Sequence, residues 1–258
     1  MGYNIAGNFV KCLKCGAKNF WDLLIAIGLS KKDAYALIKT IPSGYIEDRP
    51  KPEGLKLPPS VPLVRGHRSY LMRRGFDPSE LVNLWDIQSI KIHAKFGWRI
   101  LIPIRDPRHG NDVVSFTTRA TGKTDMRYLS ASHEEESIPH SSLIYGMEYI
   151  QQSAVIVEGP TDVWAVGPGC GGTLGTDVTD EQVDVLMSIP RRLLLFDSSR
   201  AAQRRAKDLK SRLWKGTTDI WTLKTGEDPA AADEGELDDV RAWLGPEYSH
   251  NHRMASGR

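Results

Sequence analysis

Long hydrophobic runs are absent from this 258-residue chain, and cysteine is scarce. No apolar stretch approaches the roughly 20 residues that a membrane-spanning helix needs, so we expect no membrane partner. The first residues also lack the charged-then-apolar order of a secretory signal peptide, which favours a cytoplasmic protein. The three cysteines, Cys12, Cys15 and Cys170, suit a reducing compartment and exclude a disulfide framework.

A strong net charge is missing as well, because the formal value is only +2 at pH 7. The charges are nevertheless unevenly distributed along the chain. Residues 191–215 hold nine Lys and Arg residues against two acids, whereas residues 225–241 hold seven acids and one Arg. A basic block inside a folded segment indicates a polyanionic partner or substrate, and a solvated helix face is the alternative.

Composition and periodicity divide the chain into segments. Six prolines between Pro42 and Pro62 predict an extended linker, because proline lacks the backbone donor that helices and sheets require. The predicted organisation is a Cys-x-x-Cys hairpin with helices, the proline-rich linker, a mixed α+β subdomain, an α/β subdomain and a flexible tail. These occupy residues 1–41, 42–63, 64–150, 151–248 and 249–258.

Strand and helix patterns alternate after residue 150, which predicts a parallel sheet with helices packed on it. Helix caps are expected at Thr161 and Thr179, and at Asp77 further upstream. The stretch GCGGTLGT, residues 169–176, is predicted to be a strand edge or a turn. The overlapping GPGCGG, residues 167–172, lacks the spacing of a dinucleotide site and is interpreted as a turn. The stretch ATGKT, residues 120–124, resembles the end of a P-loop but lacks its first glycine and its strand-to-helix context, so no ATPase motor is implied.

Two acids follow buried strands in this predicted sheet. Glu158 comes directly after AVIV, and Asp197 follows LLLF. Ligands of such sheets collect at the carboxyl ends of the strands, where carboxylates can hold Mg²⁺. A helix cap or a solvated loop acid is the alternative role for each residue.

Several linked segments resemble a known family. VIVEGPTDVWAV, GTDVT and LLLFDSSRAAQRRA are similar, in order and spacing, to the TOPRIM fold of bacterial-type primases, topoisomerases and some nucleases. YLMRRGF, WRILIPIRDPRHGNDVVSFTTRA, MRYLSAS and SSLIYGMEYI look like the N-terminal half of the RNA polymerase domain of bacterial and phage DnaG-type primases. GEDPA looks like the late acidic motif of that family. The resemblance covers residues 68–230 and implies a TOPRIM-type α/β fold preceded by a smaller mixed α+β subdomain.

The resemblance also assigns site residues. Glu158 matches the metal-binding or acid–base glutamate, Asp162 a nearby acid of the same cluster, and Asp228 an acid that can join the metal set. Asp197 matches the first acid of an Asp-x-Asp motif. The second acid of that motif falls on Ser199, and a neutral hydroxyl is a poor metal ligand, which puts one metal site in doubt.

Basic residues are implied to face nucleotide phosphates or template. Arg119 and Arg127 match such positions, and Arg105 is a weaker candidate. Arg200 and Arg204 lie in the basic helix after Asp197, which we expect near the path of the nucleic acid.

Cys12 and Cys15 have the spacing of half a zinc ribbon, and their surroundings resemble the second half of the ribbon that begins these primases. No Cys or His precedes Cys12, so only two ligands of a Zn²⁺ site are visible. The hypothesis is that the upstream pair was lost by truncation or in evolution, and completion of the site by a partner chain is the alternative. The His250-x-His252 pair is expected to belong to the flexible end.

The expected function is that of a DNA primase, which joins NTPs into short RNA primers on a single-stranded DNA template. Mg²⁺ or Mn²⁺ would be required, and a replicative helicase is a possible partner in a bacterial or phage-infected cell. A weakened TOPRIM protein that only binds DNA or the replisome is the alternative. A TOPRIM nuclease is a third possibility that the primase-like upstream half disfavours. A topoisomerase would need a separate domain with a tyrosine nucleophile.

Overall fold

A computed structural model describes residues 54–245 with their side chains, residue 30, and the backbone of three strands before it. The chain divides into two units, residues 1–49 and residues 50–258. In the first unit, β1 (Gly2–Asn4), β2 (Phe9–Cys12) and β3 (Gly16–Asn19) form an antiparallel sheet in which Cys12 pairs with Gly16. The side chains of Cys12 and Cys15, and the tail with His250 and His252, lie outside the described residues, so the zinc hypothesis stays a prediction.

The second unit begins with two helices and an antiparallel sheet. Helix α1 (Arg65–Arg73) and helix α2 (Pro78–Trp85) are joined by a turn at Gly75, which has a left-handed φ of 85°. Asp77 caps α2 with Pro78 at its first position, as predicted. The sheet has the order β4-β5-β6-β7. Its strands are β4 (Gln88–Ile90), β5 (Arg99–Asp106), β6 (Asp112–Ala120) and β7 (Tyr128–Ser130).

A parallel sheet follows, which confirms the predicted α/β class with a smaller mixed subdomain before it. Its strand order is β11-β10-β8-β9, and all three pairings are parallel. The strands are β8 (Ser153–Val157), β9 (Cys170–Gly172), β10 (Arg191–Leu194) and β11 (Thr217–Ile220). The helices are α3 (Pro160–Val166), α4 (Asp180–Met187), α5 (Arg200–Arg212) and α6 (Glu234–Leu244).

Both faces of the parallel sheet are buried, as its continuous apolar strands require. Along β8, Val155 and Val157 join a core that includes residues of α3, α6 and the antiparallel subdomain, while Ala154 and Ile156 pack among residues of α4 and α5. Because successive side chains of a strand point to opposite faces, the two central strands β8 and β10 contribute to both cores. The shared core joins the antiparallel and parallel parts of this unit.

One local prediction was wrong, because helix α3 is capped by Gly159 rather than Thr161, which is already inside the helix. Of the strand edge or turn predicted for GCGGTLGT, the structure has the strand edge, since Cys170–Gly172 forms β9 beside β8. The overlapping stretch GPGCGG is therefore not only a turn. On the other side of β9, Gly172 exchanges two backbone hydrogen bonds of 2.9 Å with Tyr145.

The described end of the predicted linker is anchored to the core. Residues 54–63 are extended, but Val61 exchanges two backbone hydrogen bonds with Ser89 of β4, and Lys56 donates to the carbonyl of Glu135. Leu63 is buried. Among the described helices, none is long and apolar enough to cross a membrane.

Candidate active site

The carboxyl ends of β8 and β10 form one wall of an open cavity of about 370 Å³. These strands are direct neighbours, with Ile156 opposite Leu194, so Glu158 and Asp197 emerge side by side. Asp162 and Asp228 line the same cavity, so the structure brings together all four acids that the sequence singled out. The cavity lining comprises Arg74, Thr117, Arg119, Arg127, Tyr128, Glu158, Gly159, Pro160, Thr161, Asp162, Leu174, Gly175, Thr176, Asp197 and Asp228.

Asp162 stands in the first turn of α3, where its carboxylate accepts the backbone N–H of Gly159 at 3.1 Å. The side chain is buried. Burial, and then the negative charges of Asp228 and Asp197, raise the pKa of Asp162 to about 7. Ionisation of Asp162 is therefore disfavoured by its burial and by the negative charges beside it.

Asp197 and Asp228 share the same excess of negative charge. Burial, and then Glu158 and Asp228, raise the pKa of Asp197 to about 6, although Arg205 opposes the shift. Asp228 precedes a short 3-10 turn at Pro229–Ala231, and its Oδ1 atom is buried without a hydrogen-bond partner. Buried acceptors are normally satisfied, so this cluster has capacity for a cation or a donor.

Arg205 is a site residue that the sequence analysis missed. One terminal nitrogen of its guanidinium lies 2.8 Å and 3.0 Å from the two carboxylate oxygens of Glu158. A signal was present in the sequence, because Arg205 lies three residues after Ala202 and four before Leu209, which are both buried. This spacing places Arg205 beside the face of α5 that packs on the sheet.

Ser199, which replaces the second acid of the family motif, serves as the N-cap of α5. Its Oγ atom accepts the backbone N–H of Ala202 at 3.1 Å, and the residue is exposed. Ser199 does not belong to the cavity lining. The position therefore supplies a helix cap to the fold and no negative charge to the site.

A basic and aromatic wall faces the acids. Arg119 is buried, donates from Nε to the Tyr70 hydroxyl at 2.9 Å, and stacks over the Tyr128 ring at 4.7 Å. These contacts hold the guanidinium in one position. Arg127 and Arg74 also line the cavity. Arg74 and Tyr128 were not predicted, since Arg74 adjoins a second arginine and nothing in the sequence distinguishes the two.

Three other predicted arginines lie outside this cavity lining. Arg105 pairs with Asp86 at 3.1 Å and donates to the carbonyl of Asn111, so it braces the hairpin of β5 and β6. Arg200 and Arg204 lie on the exposed part of α5, in its first and second turns. They can meet a strand of nucleic acid only where it passes over that helix.

The donor set suits a hard divalent cation. Four carboxylates surround the cavity, and Asp228 contributes an unpartnered oxygen. Among the described residues, no three His, Cys, Asp or Glu side chains converge into a preformed metal cage. Mg²⁺ needs no such cage, because it commonly takes one or two protein carboxylates together with substrate phosphates and water.

Several solved structures that resemble this one are primases. A DnaG primase catalytic domain bound to ssDNA matches with a TM-score of 0.60 and 18% identity, over 74% of this chain and 76% of that chain. The E. coli primase catalytic core gives 0.58 and 19%, over 74% and 77%. The primase fragment of the bacteriophage T7 primase-helicase protein gives 0.53 and 15%, over 93% and 91%.

No protein-family model and no curated protein matches the sequence. The structural matches show that the chain has the fold of DnaG-type primase catalytic cores, which confirms the resemblance drawn from the motifs.

Proposed function

We propose that this protein is a DNA primase, a nucleotidyltransferase that joins NTPs into short RNA primers on single-stranded DNA. The observation that carries the proposal is the single cavity in which Glu158, Asp162, Asp197 and Asp228 face Arg74, Arg119 and Arg127. Nucleotidyl transfer requires carboxylates that hold a divalent cation and, opposite them, cationic side chains that bind phosphates. The fold is that of primase cores.

The four acids would hold Mg²⁺ or Mn²⁺. When bound, the cation lowers the pKa of an attacking 3′-hydroxyl and neutralises charge that develops on the phosphate oxygens. Neighbouring carboxylates raise the pKa of Asp162 and of Asp197, so a cation in the cluster would lower the electrostatic cost of their ionisation.

The opposite wall would bind the triphosphate. Arg119 offers a guanidinium whose position is already fixed by Tyr70 and Tyr128, so little conformational freedom is lost when a phosphate binds. Arg127 is exposed at the cavity rim, where it can reach substrate without desolvation of a buried pair. Arg200 and Arg204 would contact the template backbone over α5.

Primer synthesis with labelled NTPs on mixed-sequence single-stranded DNA tests the proposal, in Mg²⁺ and in Mn²⁺. Wild type is expected to make short RNA products, and Glu158→Ala is expected to make none. Glu181→Ala, which removes an exposed acid of α4, is the matched control and should behave as wild type. Primer synthesis at the wild-type rate by Glu158→Ala would contradict the site.

A second candidate is a DNA- or replisome-binding protein without catalysis. Two observations favour it: Ser199 supplies no acid, and Glu158 is held by Arg205. Salt-dependent binding of single-stranded DNA with no NTP incorporation in either metal would select this candidate. Strand cleavage in the same assay would instead indicate a nuclease.

Two further elements belong to the proposal. A replicative helicase is a suitable partner class, since one structural neighbour is part of a primase-helicase protein.

A zinc site at Cys12 and Cys15 requires further ligands, and elemental analysis of the purified monomer tests whether Zn²⁺ is present. Stoichiometric zinc in the monomer would contradict the hypothesis that the upstream ligand pair was lost.

A further inference from the structure

The acidic cluster contains its own cation. The Arg205 guanidinium contacts both oxygens of Glu158, whose side chain is 15% exposed, at 2.8 Å and 3.0 Å. Only one terminal nitrogen makes this contact. The Nε atom of Arg205 is buried without a partner, so the group retains a donor for a further acceptor at the site.

Of the four acids in the cluster, only Glu158 has its charge compensated by an ion pair among the described residues. Among the described residues, Arg205–Glu158 is the ion pair of this cluster, and neither Asp162, Asp197 nor Asp228 forms one. Asp228 Oδ1 has no hydrogen-bond partner. The protein therefore neutralises the charge of Glu158 with its own arginine, whereas the three aspartates remain available to bind a cation from solution.

Helix α5 carries both Ser199 and Arg205. Its N-cap, Ser199, stands where a second acid of the family motif would recruit a metal ion, and its side chain accepts the backbone N–H of Ala202. Six residues later the same helix projects Arg205 onto Glu158. The helix thus supplies no negative charge at its N-cap and one positive charge beside Glu158. Two-metal phosphoryl sites use two divalent ions to neutralise the attacking and leaving oxygens, and a guanidinium can supply one of these charges without coordination.

We propose that Arg205 is a resident cation that replaces one divalent ion beside Glu158, so that the protein binds a single divalent cation at its aspartates. This inference rests on the proposed function for the role of the site. Arg205 is a positioning and charge-compensating residue in this scheme, because it acts through its contact with Glu158.

Mn²⁺ binding to the full chain without nucleotide tests the inference, with free Mn²⁺ followed by electron paramagnetic resonance. Wild type is expected to bind one ion per chain. Arg205→Ala frees Glu158 and is expected to bind a second ion, or to bind the first at least about tenfold more tightly, because a cation near the site no longer repels it. Arg205→Lys retains the charge and should resemble wild type.

Arg204→Ala is the matched control, because it removes an exposed arginine from the adjacent position of the same helix. It should leave the stoichiometry at one. The inference is overturned if Arg205→Ala binds Mn²⁺ with wild-type stoichiometry and affinity, or more weakly than wild type. If Arg205→Ala does not fold, Arg205→Gln provides the same comparison, since it keeps a hydrogen-bond donor and removes the charge.

Thermal unfolding gives a second readout that is independent of activity. In EDTA, Arg205→Ala is expected to melt below wild type because Glu158 is left uncompensated, and saturating Mn²⁺ should raise its Tm more than that of wild type. An equal rise in both proteins counts against the inference. Absence of primers from every variant would reject the proposed function while leaving these metal readouts valid, and normal primer synthesis with unchanged Mn²⁺ binding would reject the inference alone.

Discussion

Glu236 links helix α6 to the loop that carries Asp228. Its carboxylate accepts hydrogen bonds from Trp221 Nε1, from the backbone N–H groups of Lys224 and Thr225, and from the Thr225 hydroxyl. Burial alone would raise the pKa of Glu236, but these donors outweigh it and lower the pKa to about 2. One buried carboxylate thus fixes the backbone that enters the acidic cluster.

Glu236→Gln is expected to lower the free energy of unfolding at pH 7 by about 2 kcal/mol, since an amide cannot accept all of these bonds. The folded pKa lies below the usual value of 4.5, so this stabilisation is complete above that pH and is lost as the pH falls towards 2. Urea titrations between pH 7 and pH 3 should show the gap to wild type narrowing below pH 4.5. The exposed Glu134→Gln is the control, and a gap that stays constant with pH would disprove this role.

The pKa of Asp162 is shifted in the opposite direction to that of Glu236. Its folded pKa of about 7 exceeds the usual 3.8, so its ionisation destabilises the fold increasingly between these two values and fully above pH 7. In EDTA at pH 8, Asp162→Asn is expected to gain about 1 kcal/mol of stability, once the weaker bond to Gly159 is allowed for. Melting curves from pH 4 to pH 8 check this. Asp239→Asn, an exposed control, should show no such trend, and a loss of stability in Asp162→Asn at pH 8 would refute the argument.

For individual residues, the sequence was sufficient to predict the acids of the site but not the residues that contact them. Glu158 and Asp197 were found because each follows an apolar strand, and strand ends meet at one edge of a sheet. Arg205 was missed because a basic helix offers several arginines. Its spacing from Ala202 and Leu209 places it beside the buried face of α5, but only the packing of that helix shows that it contacts Glu158. Ser199 was singled out because it stands at the second acid position of the family motif, but its role as a helix cap is visible only in the backbone of the structure.

Helix α5 depends on Ser199 for its first turn. Ser199→Ala is expected to lose about 1 kcal/mol, because the Ala202 N–H then lacks its side-chain acceptor. Ser199→Asp should remain near wild-type stability, since aspartate is an equally good N-cap and its charge suits the helix N-terminus. Denaturant unfolding of both variants tests the assignment, with Ser198→Ala as the neighbouring control. Equal stability of Ser199→Ala and wild type would contradict it.

Arg192 ties the end of α4 to the starts of β10 and β11. Its fully buried guanidinium donates to the carbonyls of Leu186, Ile189 and Lys215, and to the Thr218 hydroxyl. Burial lowers the pKa of Arg192 to about 10, so the group is still protonated at neutral pH.

Arg192→Met is expected to cost about 3 kcal/mol, because it leaves buried carbonyls without donors. Arg191→Met removes the exposed neighbouring arginine and should cost less than about 1 kcal/mol. Urea unfolding at pH 7 compares the two. Similar losses in both variants would show that the hydrogen bonds of Arg192 do not add to stability and that only the packing of its side chain does.

Elements with strong periodicity were predictable, whereas for the glycine-rich stretch after α3 the sequence left a strand edge and a turn open. The capping boxes and alternating strands are local signals, so the positions of α2 and α4 followed from the sequence. Strand β9 has only three residues, two of them glycine, and it exists because β8 offers a free edge. The cap of α3 shifted to Gly159 because Asp162 supplies the reciprocal bond.

At the scale of the whole molecule, charge is divided between a cavity and an exposed helix. We expect single-stranded DNA binding to weaken with salt, and the double variant Arg200→Gln/Arg204→Gln to lower the log–log salt slope by about 1.4, or 0.7 per phosphate contact. Fluorescence anisotropy across a salt series measures this. Lys56→Gln/Lys215→Gln removes equal charge elsewhere and should leave the slope unchanged; an unchanged slope in the first variant would exclude α5 from the template path.

The cavity itself could not be predicted from the sequence. Its acids come from the parallel sheet, whereas Arg74 and Arg119 come from α1 and β6, which belong to the antiparallel part. Their meeting depends on a core shared by the two parts, and pairwise packing across such distances leaves no local pattern. The family motifs placed these residues together only through their resemblance.

The Tyr145 segment covers part of the edge of the parallel sheet at β9. Edge strands with free backbone groups are templates for intermolecular strand pairing and aggregation. At Gly172, the outward N–H and C=O groups are already bonded to Tyr145. A side chain at Gly171 would collide with Ile144 and Ile150, so these segments lie close against the strand. At this position the chain's own backbone occupies the groups through which a strand of a second copy would pair.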